Sequence, residues 1–202
     1  MPSVVHSPPP AHLDAAFLAA KHQAGLAYEE YLASNPVKAE NWRKLEAQLY
    51  LTEDQQKLVR GFTREIKILA ISGIWCGDCV AQCPMLVKIA QATRRQNLID
   101  LKFVDRDVHI DLSQRVMINA GLRVPTVIFM AEDFEPVSIL GDRTLTRYRS
   151  VAALQLGPSC PLPGAAIPQD ELNVTLQEWL NEIERVHLLL RLSARLRERH
   201  GD

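Results

Sequence analysis

Two cysteines three residues apart, Cys76 and Cys79, stand in the run Trp75-Cys76-Gly77-Asp78-Cys79, and a third, Cys83, follows four residues later. A Cys-x-x-Cys pair opens and closes a disulfide when one thiolate attacks and the other resolves. The flanking elements say which does which. Ahead of the pair, Ile66-Lys67-Ile68-Leu69-Ala70-Ile71-Ser72 is rich in β-branched residues, ends at Gly73 and reads as a buried strand. Beyond it, Val80, Leu86, Val87, Ile89 and Ala90 offer an apolar helical stripe. A cysteine at such a strand-to-helix junction lies near unpaired backbone N–H groups and the positive end of the helix dipole, which stabilise a thiolate and lower its pKa. Cys76 is therefore expected to be the nucleophile, and Cys79, one turn into the helix, its resolving partner.

These residues resemble the active site of the thioredoxin superfamily, whose Trp-Cys-Gly-x-Cys signature stands intact from Trp75 to Cys79. Pro84 falls five residues after Cys79, where the family carries a proline that kinks the active-site helix. Val124-Pro125-Thr126 lies about 45 residues after the second cysteine and leads into the strand-like run Val127-Ile128-Phe129-Met130. The resemblance implies a cis Pro125 facing the disulfide, and a substrate chain that pairs with the backbone at Val124. It also implies that Trp75 and Gly77, with Asp78 beside them, shape the surface around the nucleophile. Gly141 matches a glycine at the end of the family's last strand.

The likeness covers residues 64–157 and implies an α/β, thioredoxin-like fold, a mixed central sheet flanked by helices. The order of elements agrees. Residues 98–104 read as a strand ending in Asp105-Arg106-Asp107, residues 112–120 as a short helix, and residues 124–130 and 136–140 as a hairpin.

Departures from the family pattern bear on the chemistry. Many thioredoxins carry a buried aspartate six residues before the first cysteine, where this chain has Ala70, so proton removal from Cys79 must go through water or another group. Asp78 stands where thioredoxin itself has proline. A carboxylate so close opposes the thiolate by roughly 1 to 3 kcal/mol, and the helix terminus favours it by about 0.3 to 2 kcal/mol. These nearly cancel. A thiolate left without much stabilisation makes the pair reducing, which favours a reductase over an oxidase. The alternative for Asp78 is a first-turn acid that complements the helix dipole.

Seven residues of helix rise about 10 Å, so Cys83 is too far from Cys76 for a direct bridge. It reads as a small buried hydrophobe ahead of Pro84, with a redox or metal role as the alternative. Zinc normally takes four ligands. No second cysteine pair is present, and the six histidines form no ligand-spaced cluster, so no metal is expected, a three-thiolate site being the one alternative.

The chain has 202 residues, a net charge of −1 and four cysteines, too few and too unevenly placed for a disulfide framework. No global field favours nucleic acid, and no apolar run approaches the roughly 20 residues that span a bilayer. The N-terminal run Met1-Pro2-Ser3-Val4-Val5-His6-Ser7-Pro8-Pro9-Pro10 lacks the basic start and apolar core of a secretory signal and reads as a short disordered tail. A cytoplasmic, reducing compartment follows as the expectation. The arginines at 185, 191, 195, 197 and 199 read as a solvated helix face, and Arg143, Arg147 and Arg149 as surface.

Four segments are expected: a tail over residues 1–11, a helical extension over 12–63, the core over 64–157, and a loop and C-terminal helix over 158–202 packed on the core. In the extension, apolar spacing predicts one helix over residues 13–33 and another over 37–50, and Thr52-Glu53-Asp54-Gln55 opens a third as a capping box. Cys160 lies in the Pro-rich loop. From Gln169, Leu172, Leu176, Trp179, Ile183, Val186 and Leu190 form a seam that needs an apolar partner, either the N-terminal helices or a second copy of the chain as a homodimer.

The sequence thus points to a thiol-disulfide oxidoreductase, a disulfide reductase acting on protein substrates through Cys76 and Cys79. With no nucleotide-binding glycine motif and no cofactor, recycling needs an external electron donor such as a thioredoxin reductase. The alternative is a thioredoxin-fold interaction module, or a metal-binding variant, in which the helices bind a partner and the thiols are secondary.

Overall fold

A computed structural model describes residues 13–93, 95, 97–156 and 170–202; the expected N-terminal tail and the loop with Cys160 lie outside the described residues. Strands β1 (Ile66–Ser72), β2 (Ile99–Asp105), β3 (Thr126–Met130) and β4 (Pro136–Gly141) form one sheet in the order β2-β1-β3-β4. β1 pairs in parallel with β2 and antiparallel with β3, which pairs antiparallel with β4. The sheet is mixed, as expected. All of β1 except Lys67 is buried, which is why its sequence runs apolar without alternation. Pro136 is tolerated in β4 because that strand is an edge.

The expected helix over residues 13–33 is in fact two, α1 (Ala15–Ala24) and α2 (Tyr28–Ala33). Between them the chain extends, and Leu26 exchanges two backbone hydrogen bonds with Phe103 at the free edge of β2, at 2.8 and 2.9 Å. Gly25 allows this approach, because a Cβ there would lie 2.8 Å from the Lys102 Cβ. Next come α3 (Pro36–Glu46), with Pro36 in its first turn, and α4 (Glu53–Arg60), which opens on the expected box between Thr52 and Gln55. An aromatic cluster of Tyr28, Tyr31, Trp42 and Phe103 fixes α2 and α3 against β2.

After β1 the chain enters α5 (Gly77–Gln91), with Pro84 inside it. The helix expected over residues 112–120 is shorter: α6 (Ile110–Ser113) continues as a single 3-10 turn, Gln114–Val116. It stops because Asn119 and Ala120 take positive φ angles of 48° and 56°, closing a tight turn in which Ile118 and Gly121 exchange hydrogen bonds. Helix α7 (Leu145–Leu156) follows β4, and α8 (Glu171–Leu192) and α9 (Ala194–His200) complete the described chain. No helix among the described residues is long and apolar enough to cross a membrane.

The seam on α8 is buried within its own chain: Leu176, Trp179, Ile183, Val186 and Leu190 are at most 1% exposed. α8 packs against α5, α7 and α9. The C-terminal arginines are not simply solvated. Arg195 pairs with Asp133, Arg199 with Glu132 and Asp133, and Arg191 with Asp202.

His187 on α8 stacks on Phe62 at 4.5 Å, and its Nε2 accepts the Thr63 N–H at 3.0 Å. Burial pushes its pKa down, with Arg191 and Arg64 adding to the effect; burial does the same to His22. The unfolded chain takes up these protons near about pH 6.5 while the folded chain does not. Stability is therefore complete above that pH and falls as the pH drops through it, by up to about 1.4 kcal/mol per pH unit per histidine. Urea midpoints measured from about pH 8 down to about pH 5 are expected to fall only in the lower half of that range; a flat profile would contradict this.

Candidate active site

Cys76 occupies the N-cap of α5, with φ −83° and ψ 125°, so the helix begins immediately behind its sulfur. It is partly exposed, whereas Cys79 and Cys83 are fully buried. The Cys76 thiol points at the Val124 carbonyl oxygen, 3.6 Å away, and the Val124-Pro125 peptide bond is cis. Cys79 Sγ accepts the Gly73 N–H at 3.5 Å. The strand, the helix and the turn before β3 thus converge on one thiol pair, with a single sulfur open to solvent.

Both thiols lie above the ordinary cysteine range. For Cys79 the main cause is burial. For Cys76 it is the adjoining Cys79 thiol, then burial, opposed by the backbone N–H groups of Cys79 and Asp78. The helix terminus therefore acts in the direction expected from the sequence, and the net shift, which the sequence left near balance, is upward. The neighbouring thiol and partial desolvation outweigh two backbone donors.

The expected surface residues surround Cys76. Trp75 is 49% exposed, its ring lying against Gly73, where a Cβ would come within 2.7 Å of it. The Arg106 guanidinium sits 4.7 Å from the Trp75 ring centroid, a cation–π contact that the sequence reading missed. Gly77 is exposed, and a Cβ there would meet nothing within 4 Å, so it leaves the approach open. Val124 and Pro125 are buried behind the sulfur. Gly141 ends β4 against this turn, where a Cβ would lie 2.6 Å from the Pro125 carbonyl oxygen.

Two arginines read as surface prove otherwise. Arg143 Nη2 donates to Asp78 Oδ2 at 2.5 Å, and Arg147 Nη2 to Asp78 Oδ1 at 3.3 Å. The i, i+4 spacing of Arg143 and Arg147 was visible, but their partner lies 65 and 69 residues away in sequence. Trp42, expected on the apolar side of its helix, does more than pack: its Nε1 donates to the Ile74 carbonyl oxygen at 3.0 Å, tying α3 to the segment just before Cys76.

Cys83 Sγ lies 4.0 Å from the Ser72 hydroxyl within the hydrophobic core. The three sulfurs do not converge as ligands. Among the described residues no group of three or more His, Cys, Asp or Glu side chains is placed to hold a metal ion.

Residues 25–151 match the family model Thioredoxin_9, described as thioredoxin, over more than half of the chain. The chain belongs to this thioredoxin family. The match begins ahead of β1 and takes in α2, α3 and α4 of this thioredoxin-family protein. Among solved structures, the crystal structure of an HIV epitope-scaffold is 17% identical, with a TM-score of 0.57 over 87% of this chain and 98% of that one. The 1.5 Å crystal structure of a protein of unknown function from Pseudomonas aeruginosa is 21% identical, with a TM-score of 0.51 over 83% of this chain and 89% of that one. Both resemble this chain in fold. No curated protein matches it.

Proposed function

We propose that this thioredoxin-family protein is a thiol-disulfide oxidoreductase that reduces disulfides in protein substrates, with Trp75-Cys76-Gly77-Asp78-Cys79 as its active site. The observation that carries the reading is the asymmetry of the pair: Cys76 is open at the N-cap of α5 beside cis-Pro125, and Cys79 is buried behind it. The Cys76 thiolate attacks one sulfur of the substrate disulfide. That S–S bond breaks, the leaving sulfur departs as a thiolate and takes a proton, and a mixed disulfide joins Cys76 to the other substrate sulfur. Cys79, once deprotonated, attacks Cys76 Sγ, releases the second substrate thiolate and leaves the Cys76–Cys79 disulfide. Two electrons from an external dithiol donor, such as a thioredoxin reductase, restore the pair.

The upward shift of both thiols supports a reductase. A dithiol that gains little from thiolate stabilisation gives up its electrons readily. The open surface at Trp75 and Gly77 supports an enzyme over an interaction module, whose helices would cover the sulfur. A reducing, cytoplasmic compartment suits such a pair. The test is reduction of the insulin interchain disulfides with dithiothreitol as electron source. Catalytic quantities of the protein are expected to accelerate precipitation of the insulin B chain; an unchanged rate would overturn the proposal.

A further inference from the structure

We infer that Arg143, seconded by Arg147, is a positioning residue for Cys76: the two guanidinium groups hold and neutralise the Asp78 carboxylate, so that a negative charge two residues from the nucleophile does not oppose its ionisation. This rests on the reading of Cys76 as the nucleophile and explains why the motif carries an acid there.

The clamp is built from several elements. Asp78, Arg143 and Arg147 side chains are only 16%, 19% and 24% exposed, so their charges are less screened than those of a surface pair. The segment that presents Arg143 is fixed on both sides by Gln82 of α5, itself fully buried. Gln82 Nε2 donates to the Asp142 carbonyl oxygen at 3.0 Å, and its Oε1 accepts the Thr144 N–H at 3.2 Å. Arg147 is held from the other side by Glu171 of α8, which also accepts the Ser150 hydroxyl at 2.8 Å. α8 thereby reaches the first turn of the active-site helix through one arginine.

Other charged and titratable groups face this end of α5. Cys79 and Cys83 come from α5 itself, Asp105 ends β2, and Arg106, paired with Asp107 and also drawn by Asp105, comes from the segment after it. Asp142 lies between Arg123 and Arg143 and accepts the Tyr148 hydroxyl. Asp142 shares Arg143 with Asp78 and also faces Arg123, and Glu171 shares Arg147, so Arg143 and Arg147 are the cations that reach Asp78 and each also serves a second acid.

The test follows the titration of Cys76 alone, by its alkylation rate with iodoacetamide against pH in full-length Cys79→Ser protein. Replacing both arginines, Arg143→Gln with Arg147→Gln, is expected to lower the thiolate fraction near pH 7 by about tenfold. Adding Asp78→Asn is expected to restore it to within about twofold, and Arg143→Lys, which keeps the charge, to retain most of it. Asp78→Asn alone, which leaves the arginines in place, is expected to raise the fraction. If removing the arginines costs the same with and without Asp78→Asn, or changes nothing in either background, the proposal is overturned. Should the double arginine variant fail to fold, the Asp78→Asn and Arg143→Lys proteins decide it, and a fall in thiolate fraction on Asp78→Asn would overturn it. Closure of the Cys76–Cys79 disulfide in the unsubstituted chain is read separately, so loss of the reductase reading is told apart from loss of charge compensation.

Discussion

A Cys76→Ser variant is expected to lose protein-disulfide reduction by a factor on the order of a thousand or more, since a serine hydroxyl near neutral pH supplies almost no anion to attack a disulfide. Cys79 cannot take over, because it is fully buried behind Cys76. Cys79→Ser is expected to fail differently. Cys76 still attacks, but nothing resolves the product, so a mixed disulfide with the substrate accumulates and shows as an adduct on a non-reducing gel and by mass. The contrast separates attack from resolution, two roles assigned from the exposure of the sulfurs. Retained activity in Cys76→Ser, or adducts that form through Cys79, would reverse the assignment.

Trp42→Ala is expected to cost about 3 to 5 kcal/mol of stability, the range for truncating a large buried aromatic. Trp42 is fully buried, and its ring lies 5.7 Å from Tyr31, edge-on, and 6.3 Å from both Tyr28 and Phe103. Its removal opens a cavity between α3 and β2 and takes the indole donor from the Ile74 carbonyl. Trp42→Phe is the milder change: an aromatic ring is kept, while the hydrogen bond and part of the indole's volume are lost, for about 1 to 3 kcal/mol. Because Ile74 leads directly to Trp75 and Cys76, both variants are also expected to slow disulfide exchange while the protein remains folded. Urea unfolding followed by fluorescence measures the first quantity; a loss below about 1 kcal/mol for Trp42→Ala would show that the cluster does not anchor the helical extension.

The parts of this molecule that were legible in its sequence are those set by local pattern. The apolar run Ile68-Leu69-Ala70-Ile71 gave β1, because a central strand needs no alternation. The box at Thr52 and Gln55 gave the start of α4, since both of its bonds span three residues. The thiol pair was legible as a short motif, and Pro84 and the cis turn at Pro125 were legible through the resemblance that this motif carries. What was missed depends on contacts between distant segments. The spacing of residues 13–33 fits one helix, and only the pairing of Leu26 with the β2 edge explains why it breaks. Arg143 and Arg147 look like any exposed i, i+4 pair until the fold brings Asp78 between them. The net pKa shift of Cys76, which the sequence left balanced between the helix terminus and Asp78, was out of reach for the same reason. The backbone donors near it could be inferred from its place at a helix start, whereas the balance of burial and a neighbouring thiol required coordinates.

The central claim, that Cys76 and Cys79 form one reversible dithiol with Cys83 as packing, is tested most directly by a redox titration against a dithiothreitol couple, mapping by mass spectrometry which cysteines pair at each poise. The account predicts a single two-electron transition near or below about −230 mV, a Cys76–Cys79 disulfide on its oxidised side, and Cys83 as a free thiol throughout. A Cys76 and Cys79 that never pair, or a Cys83 that enters the exchange, would contradict it.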